Sequence, residues 1–339
     1  MKVLLTGGAG YIGSHTLLEL IKESIDVTVI DNLVNSSFEA VRRVELLTDK
    51  HVEFLPMDLL DRQKLSKLFE QHDFDTVIHL AGLKTVSESL ENPLTYYENN
   101  ISGTINLCNA MVNHGVHNLI FSSSATVYGD PSELPIKEES SVTGTTNPYG
   151  ETKLIIEKIL MDISDSNPQW NAVILRYFNP GGAHQSGHIG EDPNGIPNNL
   201  VPYISQCAAG RRKELTVFGK DYLTRDGTCI RDYIHVVDLA LGHLAALTKL
   251  KEGPGVVIYN LGTGKGSSVL EVIHTFEEVN KVKVPYIFGP RRVGDIPECY
   301  TDPTKANKEL HWKATGTLEH ICRDAWNWQK HNPLGYAKG

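Results

Sequence analysis

Short apolar runs alternate with longer amphipathic stretches through the first half of the chain. KVLLT (2–6), VTVID (27–31), VEFLPMD (52–58), TVIHLA (76–81) and NLIFSSS (118–124) are rich in β-branched and aliphatic residues and read as strands. Between them, 14–21, 64–71, 94–113 and 149–163 carry apolar residues at helical spacing. This alternation predicts an α/β fold with a parallel sheet covered on both faces, because parallel neighbours need a crossover connection and lie buried on both sides. AVILRYF (172–178) completes a doubly wound sheet. After Asn179 the texture changes to GGAHQSGHIGEDPNGIPNN, whose Gly, Pro and Asn content marks a loop or lobe boundary. The predicted division is a first domain over 1–178 and a smaller α/β lobe over 179–339. TCIRDYIHV (228–236) and VVIYNLG (256–262) are apolar enough to return to the first sheet.

The first strand runs straight into Thr6-Gly7-Gly8-Ala9-Gly10-Tyr11-Ile12-Gly13 and then a helix. Glycines at 7, 10 and 13 allow a tight turn, close backbone approach to a pyrophosphate, and close packing of helix on strand, with the anion on the helix N-terminal amides. Asp31 ends the second strand, where a carboxylate accepts hydrogen bonds from an adenosine ribose. Strand, glycines, helix and acid together predict a Rossmann-type dinucleotide site. A carboxylate at 31 repels a 2′-phosphate, and no Arg or Lys follows in Asn32-Leu33-Val34-Asn35-Ser36, so NAD is expected rather than NADP. Asp58-Leu59 closes the third strand and suits the adenine edge. Leu80-Ala81-Gly82 with Lys84 closes the fourth near the pyrophosphate, although Lys84 taken alone reads equally as a surface lysine.

Tyr149-Gly150-Glu151-Thr152-Lys153 places a phenol and an ammonium four residues apart, on one face of a helix. It follows Ser122-Ser123-Ser124 at the end of the fifth strand, the edge where such sheets present ligands. A tyrosine is a poor base at its ordinary pKa of about 10, but a nearby ammonium and a positive nicotinamide ring both favour the phenolate. Ser124 can then orient or relay the proton of the same substrate hydroxyl.

Composition narrows the partners. The 339 residues carry 41 acidic and 32 basic side chains, a formal charge of −9, which argues against a nucleic-acid partner. The five cysteines, Cys108, Cys207, Cys229, Cys299 and Cys322, are odd in number and show no C-x-x-C spacing, so neither a disulfide framework nor a zinc site is expected. The opening Met-Lys-Val-Leu-Leu is too short an apolar run for a secretory signal, and no stretch approaches the roughly 20 apolar residues of a membrane span. A cytoplasmic protein with no membrane partner is expected.

TGGAGYIG at the start, SSSATVYG (122–129), YGETK (149–153) and RYFNPGGA (176–183) resemble the extended short-chain dehydrogenase/reductases. LKTVSESLENPLTYYENN (83–100), GTCIRDYIHVVDLA (227–240) and RRVGDIP (291–297) are similar, more narrowly, to the UDP-hexose 4-epimerases of that family. The resemblance runs from residue 1 to about 335. It implies a tightly bound NAD and the interconversion of UDP-galactose and UDP-glucose through a 4-keto sugar that turns over in the site. Tyr149 would remove the 4-hydroxyl proton, with Lys153 and Ser124 beside it. The resemblance also assigns Tyr11, Ile12, Asn32, Asn35, Ser36, Asn99 and Phe178 to the cofactor, and Lys84, Ser124 and Tyr149 to substrate as well. Asn179, Asn199, Leu200, Phe218, Arg231, Arg292 and Asp295 match UDP-binding positions.

Arg231 and Arg292 would neutralise the diphosphate, and Asp295 would accept from the uridine ribose. Cys299 stands where relatives restricted to glucose and galactose carry Tyr. A thiol there opens space for a 2-acetamido group, so UDP-GlcNAc and UDP-GalNAc are expected as further substrates, against an epimerase restricted to UDP-Glc and UDP-Gal. A sugar-nucleotide 4,6-dehydratase would need an acid and a base where this chain has Ala125-Thr126, and a non-catalytic NAD-sensing protein would be expected to lose Tyr149 or Lys153. The helices over 94–113 and 149–163 carry apolar residues on more than one face, and the family pairs these helices, which implies a homodimer.

Overall fold

The computed structural model describes residues 1–142, 144–292 and 294–336. In chain order the elements are β1 (Lys2–Thr6), α1 (Tyr11–Lys22), β2 (Asp26–Asp31), α2 (Phe38–Thr48), β3 (Glu53–Pro56), α3 (Arg62–Gln71), β4 (Thr76–His79), α4 (Val86–Glu91), α5 (Pro93–Tyr96), a π-helical turn (Tyr97–Ser102), α6 (Gly103–Asn113), β5 (Asn118–Ser124), α7 (Pro148–Ser166) and β6 (Asn171–Tyr177). Then follow β7 (Asn179–Gly181), α8 (Leu200–Ala208), β8 (Leu215–Phe218), β9 (Ile230–His235), α9 (Val236–Leu250), β10 (Val256–Leu261), β11 (Gly266–Ser268), α10 (Val269–Asn280), β12 (Tyr286–Gly289), β13 (Glu298–Cys299), α11 (Thr304–Glu309) and α12 (Leu318–His331).

The chain forms two compact units. The first comprises Met1–Gly129, Ser141–Arg176 and Leu241–Tyr259; the second comprises Asp130–Ser140, Tyr177–Ala240 and the chain from Asn260 onward. The first unit is built on a seven-stranded sheet of order β10-β6-β5-β4-β1-β2-β3. Its central strands pair in parallel, Val3 with both Val27 and Thr76, and Val77 with Leu119. Burial on both faces explains their composition: Val3, Leu4, Leu5, Val77, Ile78, Leu119 and Ile120 are fully buried. Each such aliphatic side chain contributes about 1.5–3 kcal/mol of transfer free energy. β3 spans Glu53–Pro56, short of the expected 52–58; its partner β2 ends at Asp31, whose carbonyl still takes the Met57 amide.

Two expectations need correction. The 228–236 run does not return to the first sheet: β9 lies in the second unit, between β11 and β13 with β7 alongside. Apolarity reported that the strand is buried, not where. Tyr233 packs in a separate core with Val201, Ile204, Val272, Phe276 and Ile321. The 94–113 stretch is helical throughout, but not regularly: a π-helical turn lies within it, where Asn100 is buried. The boundaries also shift, with 130–140 falling in the second unit and 241–259 in the first.

Among the described residues no helix is long and apolar enough to cross a membrane, and no cluster of His, Cys, Asp and Glu could hold a metal ion. All five cysteines are free and buried.

Candidate active site

The glycine turn separates two demands. Gly7 takes a φ of +72°, and a Cβ there would lie 2.7 Å from the Ala81 nitrogen. A Cβ at Gly13 would lie 2.1 Å from the Gly7 carbonyl oxygen, so both glycines are required by the protein's own backbone packing. Gly10 is different: its Cβ would meet only the Gly7 oxygen, at 3.3 Å. The space it leaves lies at the start of α1, which has no side-chain cap and whose amides suit an anion.

Asp31 closes the turn from β2. Its Oδ2 accepts from the Ala9 amide at 3.1 Å, and its Oδ1 from the Leu33 amide at 2.9 Å and the Ser36 hydroxyl at 2.8 Å. Burial raises the carboxyl above its usual range against these three donors. Asp31 is thus a turn-closing residue; Oδ1 already takes two donors, and Oδ2 is the oxygen with a further lone-pair direction. Asp58 accepts from the Asn32 amide group at 2.9 Å and the Leu60 amide at 2.8 Å. Leu59 offers its carbonyl to Asn106. Asn32, Asn35, Gly82 and Lys84 are exposed, while Tyr11, Ile12, Leu80, Ala81 and Asn99 are half-buried.

Behind this turn runs a buried polar chain. Thr104 donates to the Asn100 carbonyl, so its oxygen accepts from His79 Nε2 at 2.9 Å. His79 Nδ1 then accepts from Thr6, whose oxygen also takes the Ala81 amide. Burial and the charge of Lys153 push the His79 imidazole down to about 3. NMR of the His79 ring is therefore expected to show a neutral imidazole throughout pH 7 to 5; a midpoint near the ordinary value of about 6.5 would contradict this network. Asn100 continues the chain, its amide bonding both the amide and carbonyl of Leu83 and the Thr152 hydroxyl of α7.

Helix α7 begins with Asn147 accepting from Gly150 and Pro148 in the first turn, which fixes where Tyr149 emerges. Tyr149 and Lys153 share a face beside the end of β5. Lys153, 5% exposed, donates to the Ser122 carbonyl at 2.6 Å, with Nζ 5.9 Å from the Tyr149 ring centroid. Burial lowers its ammonium to about 8 against the supporting charge of Glu157. The expected lowering of the tyrosine does not arise in the chain by itself: burial pushes the Tyr149 phenol up, and only its hydrogen bond with Ser124 opposes that. Ser124 Oγ also takes the Thr126 amide and hydroxyl.

In the second unit, Arg231 on β9 lies 3.7 Å from Asp295 and pairs in register with Cys299 on β13. The Arg292 guanidinium stacks 4.6 Å from the Phe218 ring centroid, whereas Arg291 is tied to Asp221 and the Tyr222 ring. Asn199 precedes Leu200 at the start of α8, and its amide donates to Glu191 at 2.7 Å. Asn179 opens β7 and is exposed; Phe178 is buried and belongs to this unit, not to the first. Cys299 is 8% exposed, with its thiol pushed up to about 11 by burial, so it acts as a small neutral side chain.

Several residues escaped the sequence reading. Asn100, Thr152 and His79 bond across long separations that no local spacing reports. Asp232 on β9 is fully buried and accepts from the amides of Thr263, Gly264 and Thr301, which ties the turn before β11 and the chain just after β13 to β9.

The NAD dependent epimerase/dehydratase family model matches residues 3–262. UDP-glucose 4-epimerase of Pasteurella multocida is 55% identical over 336 residues, covering 99% of each chain. Among solved structures, UDP-glucose 4-epimerase from Bifidobacterium longum in complex with NAD+ and UDP superposes with a TM-score of 0.96 at 51% identity, covering 99% of this chain and 100% of that one. The UDP-Glc/GlcNAc 4-epimerase of Campylobacter jejuni has a TM-score of 0.85 at 41% identity, covering 97% and 99%. With a glycine turn shaped for a dinucleotide and likeness over its whole length, the chain belongs to the NAD dependent epimerase/dehydratase family, among its UDP-glucose 4-epimerases.

Proposed function

We propose that this enzyme interconverts UDP-galactose and UDP-glucose by oxidising and re-reducing sugar C4, with Tyr149 moving the proton of the 4-hydroxyl. The observation that carries this is the grouping of Tyr149, Lys153 and Ser124 at the end of β5. NAD, held over Gly7, Gly10 and Gly13, supplies the hydride acceptor and donor. Ser124 holds the Tyr149 phenol in the absence of substrate and would pass to the sugar hydroxyl when it binds. The Lys153 ammonium beside the ring favours the phenolate, which burial alone disfavours.

We assign Asp31, Asn32, Asn35, Ser36, Asp58 and Leu59 to the adenosine half of the cofactor, and Leu80, Ala81, Gly82, Lys84 and Asn99 to its other half. In the second unit we assign Phe218 to the uridine, Arg231 and Arg292 to the diphosphate, Asp295 to the uridine ribose, and Asn179, Asn199 and Leu200 to the remaining nucleotide contacts. A stacked guanidinium over a ring presents both a flat apolar face and a charge.

Cys299 extends the reading. A buried neutral thiol occupies less room than a phenol, so the enzyme is expected to convert UDP-GalNAc and UDP-GlcNAc as well. A relative with this fold carries UDP-Glc/GlcNAc 4-epimerase as its name, which supports the reading. Incubated separately with UDP-galactose and UDP-GalNAc, the purified protein should form UDP-glucose and UDP-GlcNAc. Cys299→Tyr should lose at least about tenfold on the acetamido sugar, the order of 1.4 kcal/mol, while retaining UDP-galactose turnover; an unchanged ratio would remove Cys299 from specificity. We also infer a two-fold homodimer in the cytoplasm, supported by exposed Leu90, Leu94, Val112 and Met161 on α4 to α7.

A further inference from the structure

Three consecutive serines of β5 each engage one residue of α7. The Ser122 carbonyl takes Lys153 Nζ, the Ser123 hydroxyl donates to Glu157, and Ser124 bonds Tyr149. Positions 149, 153 and 157 lie four apart, so they form one line along the helix face. The third member has no part in the mechanism above. Glu157 is 1% exposed and Arg176 on β6 is 3% exposed. Arg176 grips it in bidentate fashion, Nε to Oε1 at 3.0 Å and Nη2 to Oε2 at 2.6 Å, and lies 4.7 Å from the Tyr128 ring centroid.

A buried ion pair is generally no more stabilising than well-packed apolar residues of the same volume. Its place next to Lys153 in the line of α7 gives it a second use. Arg176 bonds the carboxylate directly, and Lys153 lies one helical turn before it on the same face of α7. We propose that Glu157, locked in place by Ser123 and Arg176, is a positioning residue that keeps the Lys153 ammonium charged and aligned beneath Tyr149. This inference rests on the epimerase reading for its catalytic meaning.

The other groups around Lys153 do not do this work. Tyr149 on the same helix is held as a neutral phenol by burial, and His79 on β4 is a neutral imidazole within its threonine pair. Arg176 on β6 is a cation and would only weaken the ammonium. β5 offers the Ser122 carbonyl and the Phe121 ring face, 4.9 Å away, neither of which carries a charge. Glu157 is the anion that opposes the burial of Lys153.

The test uses the holoenzyme and two readouts. One is the alkaline limb of kcat with UDP-galactose. The other is a 13Cε-lysine NMR titration, with the Lys153 signal assigned by Lys153→Met, which needs no turnover. Glu157→Gln removes the anion and leaves Arg176, a cation that only weakens the ammonium, so both act on Lys153 in one direction. The Lys153 midpoint and the alkaline limb should both move down by about one pH unit or more. A shift below about half a unit, with only the rate or melting temperature changed, would overturn the proposal and leave the pair a packing element. If Glu157→Gln does not fold, Ser123→Ala keeps the ion pair and should move the Lys153 midpoint in the same direction by less; no movement would overturn the proposal. Wild-type protein that forms no UDP-glucose would sink the epimerase reading instead, and the NMR midpoint would still decide the role of Glu157.

Discussion

Tyr149→Phe is expected to fold, to retain NAD, and to lose roughly a hundred- to ten-thousandfold in kcat, the range for a positioned acid–base group. The substitution removes one oxygen. The ring keeps its place beside Lys153 on α7, and Lys153 keeps its bond to Ser122, so the first unit should melt within a few degrees of wild type. What disappears is the atom proposed to take the 4-hydroxyl proton. Ser124 cannot replace it, because an isolated hydroxyl is a far weaker base than a phenolate at neutral pH. The check is three measurements on one preparation: melting temperature, NAD content and turnover of UDP-galactose. A rate near wild type would remove Tyr149 from the chemistry, while loss of NAD or fold would make it a structural residue.

The glycine turn yields the second large effect, through a contrast. Gly13→Ala is expected to destabilise the first unit and abolish NAD retention, because its Cβ would sit 2.1 Å from the Gly7 oxygen and 2.7 Å from the Gly8 Cα. Backbone must move, at a cost of about 1–3 kcal/mol or more. Gly10→Ala should fold normally, since its Cβ would meet the Gly7 oxygen alone at 3.3 Å, and still lose NAD. Thermal melts paired with NAD content separate the two. If Gly10→Ala retained NAD at wild-type level, the space over α1 would not be where the pyrophosphate lies.

Most of the first unit was legible because its chemistry is local. β1 and β5 have the boundaries their apolar runs predict, and the turn from Thr6 to Gly13 needs only residues within one strand, one loop and one helix. Legibility fails where a feature depends on a distant partner. The π-helical turn is invisible in spacing, because Asn100 leaves the helix pattern to bond Leu83 and Thr152. Glu157 looks like a solvated helix residue until Arg176, nineteen positions on, comes beside it in β6. The apolar run of β9 predicts burial but not which sheet it joins, because hydrophobicity carries no address. In the second lobe only the family likeness selected Arg292, and the structure distinguishes it from Arg291 by what each stacks on.

The charge of −9 takes on a different meaning once these sites are in view. A dinucleotide and a nucleotide sugar each bring a diphosphate, and a negative global field gives neither any help. Binding must rest on local devices, which we propose are the start of α1 beneath Gly10 and the guanidinium groups of Arg231 and Arg292.

The central claim is that the enzyme removes and restores the hydrogen at C4 without sharing it with water. The direct test is conversion of UDP-galactose in D2O by the protein as purified, with no NAD added and the product examined by NMR. The account predicts UDP-glucose with hydrogen, not deuterium, at C4; absence of UDP-glucose, or deuterium at that carbon, would contradict it.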